Sequence, residues 1–294
     1  MRPLLYLVSL CFFAGICGLF YLFLAAPEPR HIGLSETEGD AVRGTYIARM
    51  AGCIGCHTDS KGGGAQLAGG PAIETPFGVF YGPNITPDER TGLGRWTLQD
   101  FSDAMTAGQK PDGRRLYPVF PYTAYTLLTD QDLADLWAAL KTVPAVTDRA
   151  PPNRLNALID QRTLLIPWQT LFLTPGPFEP DPDRSEAWNR GAYIVEGPGH
   201  CGACHTPRNL LGGLEESRPL AGGEGSGGEK APAITAAALE AEGWTAADIV
   251  AALRTGLTPD GDVLGGSMGA VVHGSTQHLT DEDRQAIATY LLSD

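Results

Sequence analysis

Two short segments bring cysteine and histidine together at the same spacing: "CIGCH" (53–57) and "CGACH" (201–205). Two thiols separated by two residues can bond to the two vinyl groups on one edge of a porphyrin, and the adjacent histidine then reaches the iron. A zinc site or a redox-active cysteine pair is the alternative for a single motif, but two motifs favour c-type haem. The sequence therefore predicts two covalently bound haem c groups as cofactors.

Six residues carry this prediction. We assign the thioether bonds to the four cysteines of the motifs: Cys53, Cys56, Cys201 and Cys204. We assign the iron ligands on the same side of each haem to the two histidines: His57 and His205. The other two cysteines lie in the apolar N-terminal segment, so the rest of the chain has no spare thiol for a disulfide or a zinc site.

The two motifs belong to an internal repeat. The segment "RGTYIARMAGCIGCHT" (43–58) matches "RGAYIVEGPGHCGACHT" (190–206), which contains one additional residue. Downstream of the motifs the two copies stay in register, because Trp96 and Trp244 are separated by 148 residues, like the two motif histidines. Self-similarity over this length indicates two copies of one structural unit.

Each copy shows the same order of predicted elements. A short helix leads into the cysteine motif, and a Gly- and Pro-rich loop follows it. The next helix covers 97–107 or 245–255 and begins at a threonine with an acidic residue three positions later. The last helix covers 130–141 or 281–292. This order is typical of a class I cytochrome c domain, and no segment alternates in polarity, so we predict an all-α fold of two tandem class I cytochrome c domains.

The second copy contains a methionine where a sixth iron ligand is expected. Met268 lies in "GGSMGAVV" (265–272), just before the last helix. A thioether ligand favours ferrous iron, so we predict Met268 as a third metal ligand. Applying the 148-residue offset to the first copy leads to Phe120, within "GRRLYPVFPYTAY" (113–125). Phenylalanine cannot ligate iron, so the first haem lacks the expected ligand.

Three arrangements remain open for the first haem. Met105 is the ligand in one of them, although its helical spacing with Phe101 favours packing in the core. A histidine or tyrosine from elsewhere is the ligand in the second. In the third, the iron is five-coordinate and Phe120 covers its open side.

The N-terminal segment 4–26 consists of 23 residues without a charge. A transmembrane helix needs roughly 20 such residues. Pro27 directly follows Ala26, which disfavours cleavage there, so we predict an uncleaved transmembrane helix rather than a removed signal sequence. Both alternatives export the chain, and the predicted location is the bacterial inner membrane, with the haem domains facing the periplasm.

The predicted organisation has four parts. They are a membrane anchor or signal sequence (1–30), cytochrome c domain 1 (31–145), a Pro-rich interdomain strap (146–185) and cytochrome c domain 2 (186–294). Within the strap, "LLIPWQTLFL" (164–173) is too apolar to be fully exposed. It either packs across both domains or forms a docking surface for a partner.

Three segments resemble the cytochrome c subunits of membrane-bound alcohol and gluconate-type dehydrogenases: "TPFGVFYGPNITPDERTGLGRWTLQDF" (75–101), "LYPVFPYTAY" (116–125) and "WNRGAYIVEGPGHCGACHTPRN" (188–209). The resemblance runs from about residue 40 to the end of the chain. It implies periplasmic electron transfer from a quinoprotein, flavoprotein or molybdenum dehydrogenase towards quinone or a terminal oxidase. Those subunits commonly have three haem domains and a methionine at the position of Phe120.

The predicted function is therefore electron transfer and not enzymatic catalysis. A membrane-anchored periplasmic di-haem cytochrome would accept electrons from a membrane-bound or periplasmic dehydrogenase and pass them to a respiratory acceptor. The net charge of −13 favours a partner protein with a basic patch and disfavours nucleic-acid binding. The alternative is a di-haem peroxidase or small-molecule reductase, with its chemistry at the first haem.

Overall fold

A computed structural model describes residues 2–35, 38–157 and 159–293 of the chain. Met1 and Asp294, the outer ends of the first and last predicted segments, lie outside the described residues. The described helices are α1 (Arg2–Leu24), α2 (Ala41–Met50), α3 (Cys53–His57), α4 (Leu98–Ala107), α5 (Tyr122–Tyr125), α6 (Asp130–Thr142), α7 (Leu165–Phe172), α8 (Glu186–Glu196), α9 (Gly202–His205), α10 (Ala236–Ala241), α11 (Ala246–Thr255), α12 (Gly266–Gly274) and α13 (Asp281–Leu291). The described strands are β1 (Ala72–Thr75), β2 (Gly78–Tyr81), β3 (Arg154–Leu155), β4 (Gly223–Glu224) and β5 (Lys230–Ala231).

The prediction of an all-α fold is wrong, because each copy of the repeat contains short antiparallel strands. In the first copy, β1 and β2 form a hairpin that pairs Ala72 with Tyr81, and β3 adds to it by pairing Leu155 with Gly78. In the second copy, β4 pairs with β5. These strands are two to four residues long, too short for polarity to alternate visibly. The third strand comes from the strap, and its pairing depends on a distant segment of the chain.

The prediction of a transmembrane helix is also wrong. The apolar run does form the helix α1, but no helix among the described residues is long and apolar enough to cross a membrane. The end of α1 contacts α7, where the Thr170 hydroxyl donates a hydrogen bond of 2.6 Å to the Leu22 carbonyl.

The predicted helix starts agree with the structure. Thr97 caps α4 by accepting a hydrogen bond from the Asp100 amide, while the Asp100 carboxylate accepts one from the Thr97 amide. Thr245 and Asp248 form the same reciprocal pair at the start of α11. Such pairs satisfy amides that have no partner within the helix. The corresponding helices of the two copies therefore begin at corresponding residues.

The first and last helices of each copy cross where a glycine faces a backbone carbonyl. Gly44 of α2 packs on α6, and a Cβ atom at Gly44 would lie 1.8 Å from the Asp135 carbonyl oxygen. Gly191 of α8 packs in the same way on α13, where its Cβ atom would lie 2.0 Å from the Ala286 oxygen. A side chain at either position would collide with the backbone, so glycine permits the close crossing. Each crossing supports the cysteine motif that follows it.

The two copies bind each other through a reciprocal exchange of hydrogen bonds. Tyr46 of the first copy donates a hydrogen bond of 2.6 Å to the Asp283 carboxylate of the second. Tyr193, the equivalent residue of the second copy, donates one to the Asp132 carboxylate of the first. Both carboxylates are buried, and both lie in the first turn of a C-terminal helix. One apolar cluster runs through both copies, so they form a single packed body.

The strap between the copies contacts both of them. Gln169 of α7 is fully buried, and its amide donates a hydrogen bond of 3.0 Å to the Ala107 carbonyl of the first copy. The Trp168 indole donates one of 2.9 Å to the Leu211 carbonyl of the second copy. These contacts favour the interpretation that the strap packs across both domains, although Leu171 stays half exposed.

Candidate haem-attachment sites

The His57 ring is oriented by a backbone carbonyl from the loop after β2. Its Nδ1 atom lies 2.7 Å from the Pro83 oxygen. A carbonyl oxygen only accepts hydrogen bonds, so Nδ1 carries the proton and Nε2 keeps its lone pair for a metal. Burial lowers the pKa of His57, while the bond to Pro83 raises it. The neutral ring is the form that binds iron.

The His205 ring has the same arrangement in the second copy. Its Nδ1 atom lies 2.8 Å from the Pro232 oxygen, in the segment that follows β5. Burial again lowers the pKa of the histidine, opposed by this hydrogen bond. The sequence indicated both histidines but not their carbonyl partners, because these lie 26 and 27 residues further along the chain.

The four motif cysteines are free thiols, of which Cys56 is exposed and the other three are half-buried. Burial raises the pKa of both Cys53 and Cys201 to about 12, so these thiols are protonated at neutral pH. Cys56 is exposed to solvent, yet the surrounding protein raises its pKa as well. Free thiols next to an oriented histidine in each copy fit covalently attached haem.

The two motifs lie close to each other across the domain interface. After burial, the neighbouring Cys204 thiol is the second cause of the raised pKa of Cys56. Two cysteines that are far apart in the sequence, and that belong to different copies, are therefore neighbours in space. The spacing of the motifs carried no information about this proximity.

Met268 lies on α12, a short helix in the segment that was predicted as a ligand loop. The preceding residue, Ser267, donates its amide to the Glu229 carboxylate at 2.7 Å. A Cβ atom at Gly225 would lie 3.7 Å from the Cys204 sulfur and 3.7 Å from the Ser267 Cβ atom. The helix that carries Met268 therefore borders the second motif, and Met268 itself is partly buried.

The first copy has aromatic and apolar packing in the equivalent region. Phe120 contacts Tyr125, with ring centroids 5.4 Å apart in an edge-to-face arrangement. Burial raises the pKa of Tyr125 well above its usual value, and the thiols of Cys53 and Cys56 add to this, so Tyr125 lies beside the first motif. Met105 is only 4% exposed and belongs to the main apolar cluster. This burial favours the packing role for Met105.

One residue of the site was missed at the sequence level. His200 directly precedes Cys201, and its ring contacts the first copy at Ala51 and Tyr125. The available signal was the additional residue in the second copy of the repeat. Its role depends on contacts that only the folded chain creates.

Comparison with known proteins agrees with this architecture. The family model described as cytochrome c matches residues 41–144. A protein of Cereibacter sphaeroides named "Diheme cytochrome c-type" is 41% identical, over 97% of this chain and 95% of its own length. Fold and motifs together define a c-type cytochrome. The chain belongs to the di-haem c-type cytochromes, and it carries two covalently bound haem c groups.

Other relatives are longer proteins. A nicotinate dehydrogenase subunit of Pseudomonas putida is 44% identical over 85% of this chain but only 21% of its own length. "Fructose dehydrogenase cytochrome subunit" of Gluconobacter japonicus is 41% identical over 85% of this chain and 52% of its own length. This chain thus spans about half, or less, of the length of these two relatives. The family confirms an electron-transfer protein and disfavours the peroxidase or reductase alternative.

Proposed function

We propose that this di-haem cytochrome relays electrons from a dehydrogenase partner towards the respiratory chain. The names of its relatives support this role, because they include cytochrome subunits of fructose and alcohol dehydrogenases. The substrate of the partner belongs to the partner's own active site. The cytochrome accepts single electrons and passes them on.

Seven residues are proposed to hold the cofactors. The thioether bonds are made by Cys53, Cys56, Cys201 and Cys204. The iron ligands are His57, His205 and, on the opposite side of the second haem, Met268. Each bound haem carries one electron by cycling between ferrous and ferric iron. The protein orients the two histidines through the carbonyls of Pro83 and Pro232, which also keep Nδ1 protonated.

The observation that carries the proposal is the contact between the two motif turns: a Cβ atom at Gly52, directly before Cys53, would lie 3.7 Å from Nε2 of His200, directly before Cys201. A relay needs its two carriers close together, and this contact brings the two attachment segments together. The reciprocal bonds of Tyr46 and Tyr193 support a fixed distance between these segments. Two independent carriers would not require this arrangement.

We also propose the division into domain 1 (31–145), strap (146–185) and domain 2 (186–294). It is supported by the two glycine crossings, since each falls within one of these domains.

We propose a periplasmic location on the bacterial inner membrane, supported by the uncharged segment 4–26, which suits export. The net charge of −13 supports partners that present basic patches.

Membranes of the source bacterium provide the test. Reduced holoprotein is added to membranes from a strain that lacks this chain, and haem absorbance and oxygen uptake are followed together. We expect reoxidation of the haems coupled to oxygen uptake, and sensitivity of the rate to ionic strength. Reduced protein that stays reduced, with membranes that respire normally on other substrates, would rule out the relay.

A further inference from the structure

The residue before the first motif cysteine has the same unusual backbone conformation in both copies. Gly52 precedes Cys53 with a φ of 65°, and His200 precedes Cys201 with a φ of 38°. This left-handed region suits glycine and is uncommon for residues with a side chain. The first copy therefore has the residue that the turn favours, and the second has a histidine in its place. Such a strained residue at a functional site suggests that its side chain is needed there.

The His200 ring reaches from the second copy to the first motif. The ring lies close to the backbone of Ala51, two residues before Cys53. A Cβ atom at Gly52 would lie 3.7 Å from the Nε2 atom of His200, so this nitrogen faces the turn that leads into the first motif. A side chain attached directly before Cys201 thus contacts the residues directly before Cys53.

Tyr125 completes this contact from the first copy. Its hydroxyl donates a hydrogen bond of 2.6 Å to the Ala51 carbonyl. Its ring meets the His200 ring edge-on, with centroids 5.6 Å apart and planes at 75°. The His200 ring of the second copy and the Tyr125 side chain of the first therefore meet beside the Ala51 carbonyl. At the equivalent position the first copy has Gly52, which has no side chain to form a reciprocal contact.

We propose that His200 is a positioning residue that holds the two motifs at a fixed separation and thereby sets the rate of electron transfer between the haems. This inference rests on the proposed relay function. In the transfer, one ferrous iron loses an electron and the ferric iron of the other haem gains it, with no bond or proton exchanged. His200 acts through its ring contact with Tyr125 and through the two turns, and it takes no electron itself.

The test measures the redistribution of an electron between the haems. A flash reduces one haem of the fully oxidised protein, and the approach to equilibrium with the other haem is followed by absorbance. His200→Gly removes the ring and places at this position the residue that a left-handed backbone favours. We expect redistribution slower by about tenfold or more, because small displacements of reacting groups have large effects on rates.

Two further variants separate the reach of the side chain from other effects. His200→Asn tolerates the left-handed backbone but is too short to reach the Tyr125 ring, so it should be as slow as the glycine variant. His200→Gln is one methylene longer and can reach the Tyr125 ring and the turn at Gly52, so it should recover most of the rate. His31→Gln, a change of an exposed histidine near the N-terminus, should leave the rate unchanged.

A second readout does not depend on electron transfer. Hydrogen exchange of the peptide that contains Ala51 and Gly52 should increase in the glycine and asparagine variants and stay at the wild-type level in the glutamine variant. A purely structural role for His200 would change the melting temperature along with the rate. We expect an unchanged melting temperature in His200→Asn.

The outcomes distinguish the two proposals. Slow redistribution in the glycine and asparagine variants, with recovery in the glutamine variant, supports the role of His200. Wild-type rates in all variants overturn that role but leave the relay intact. A wild-type protein in which no electron passes between the haems overturns the relay and, with it, this inference.

Discussion

The first and second copies hold their haem motifs with the same devices. In each, a glycine lets the first helix cross the last one closely, at Gly44 and at Gly191. In each, the Nδ1 atom of the motif histidine is hydrogen-bonded to a proline carbonyl. In each, a tyrosine of the first helix donates to a carboxylate of the other copy. These shared features form a frame that positions the motifs and does not depend on the redox partner.

The copies differ at the positions nearest to the predicted haems. The second has Met268 where the first has Phe120, and the second has His200 where the first has Gly52. The first of these differences changes the ligand chemistry of one iron. The second creates a contact between the copies. The comparison teaches that the frame was kept in both copies, while the groups that tune and connect the two carriers were varied.

The largest expected effect is the selective loss of one haem. Replacing Cys53 and Cys56 together by alanine should leave one covalent haem, and replacing Cys201 and Cys204 should leave the other. Each attachment is made within its own motif, so mass spectrometry should show a loss of one haem mass in each variant. Cys17→Ala, a change of an exposed thiol on α1, is the control. Loss of both haems from either variant would show that the copies do not mature independently.

The next effect concerns the ligand difference between the copies. Met268→Ala should remove the sixth ligand of the second haem and lower its reduction potential, because the thioether stabilises ferrous iron. Met105→Leu, a change of similar volume in the apolar core, should leave both haems unaltered. Electron paramagnetic resonance of the oxidised protein counts low-spin and high-spin haems in each variant. A new high-spin signal from Met105→Leu would make Met105 the ligand of the first haem.

The helix crossings should be equally sensitive in the two copies. Gly44→Ala and Gly191→Ala should each lower the free energy of unfolding by about 3 kcal/mol, because the added methyl group meets a backbone carbonyl that cannot move freely. Gly274→Ala, at the end of α12 where a Cβ atom meets no neighbour within 4 Å, is the matched control. Denaturant unfolding measures all three variants. If the free energy of unfolding falls in only one of the two variants, only that crossing is packed tightly enough to limit stability.

Removing the hydroxyl of either interface tyrosine should destabilise the fold modestly. Tyr193→Phe should lower the free energy of unfolding by about 2 kcal/mol and Tyr46→Phe by about 1 kcal/mol, because hydrogen bonds to charged groups are worth more where water is excluded. Tyr193 is only 7% exposed, whereas Tyr46 is partly exposed. Urea unfolding of both variants tests this order. The control is Tyr290→Phe, which removes an exposed hydrogen bond to Glu196 within the second copy. The reverse order of Tyr193 and Tyr46 would contradict the burial argument.

Local signals explain what could be predicted. The Cys-x-x-Cys-His motifs identify covalent haem because the chemistry needs neighbouring residues only. The reciprocal threonine–aspartate caps mark the starts of α4 and α11 for the same reason. The prediction of an all-α fold failed because the strands are only two to four residues long, and because β3 pairs with a strand more than 70 residues earlier. The prediction of a transmembrane helix failed although the apolar run does form the helix α1.

By itself, the sequence determined that the two haem domains are copies of one repeat and which residues attach the cofactors. It also determined that the first copy has Phe120 at the position equivalent to Met268. Tertiary structure alone decided that Cys56 and Cys204 are neighbours, that the tyrosines exchange hydrogen bonds between the copies, and that His200 reaches Ala51. The physical reason is distance along the chain. Cofactor attachment depends on side chains a few residues apart, whereas the connection between the two carriers depends on surfaces that meet only when both copies have folded and packed.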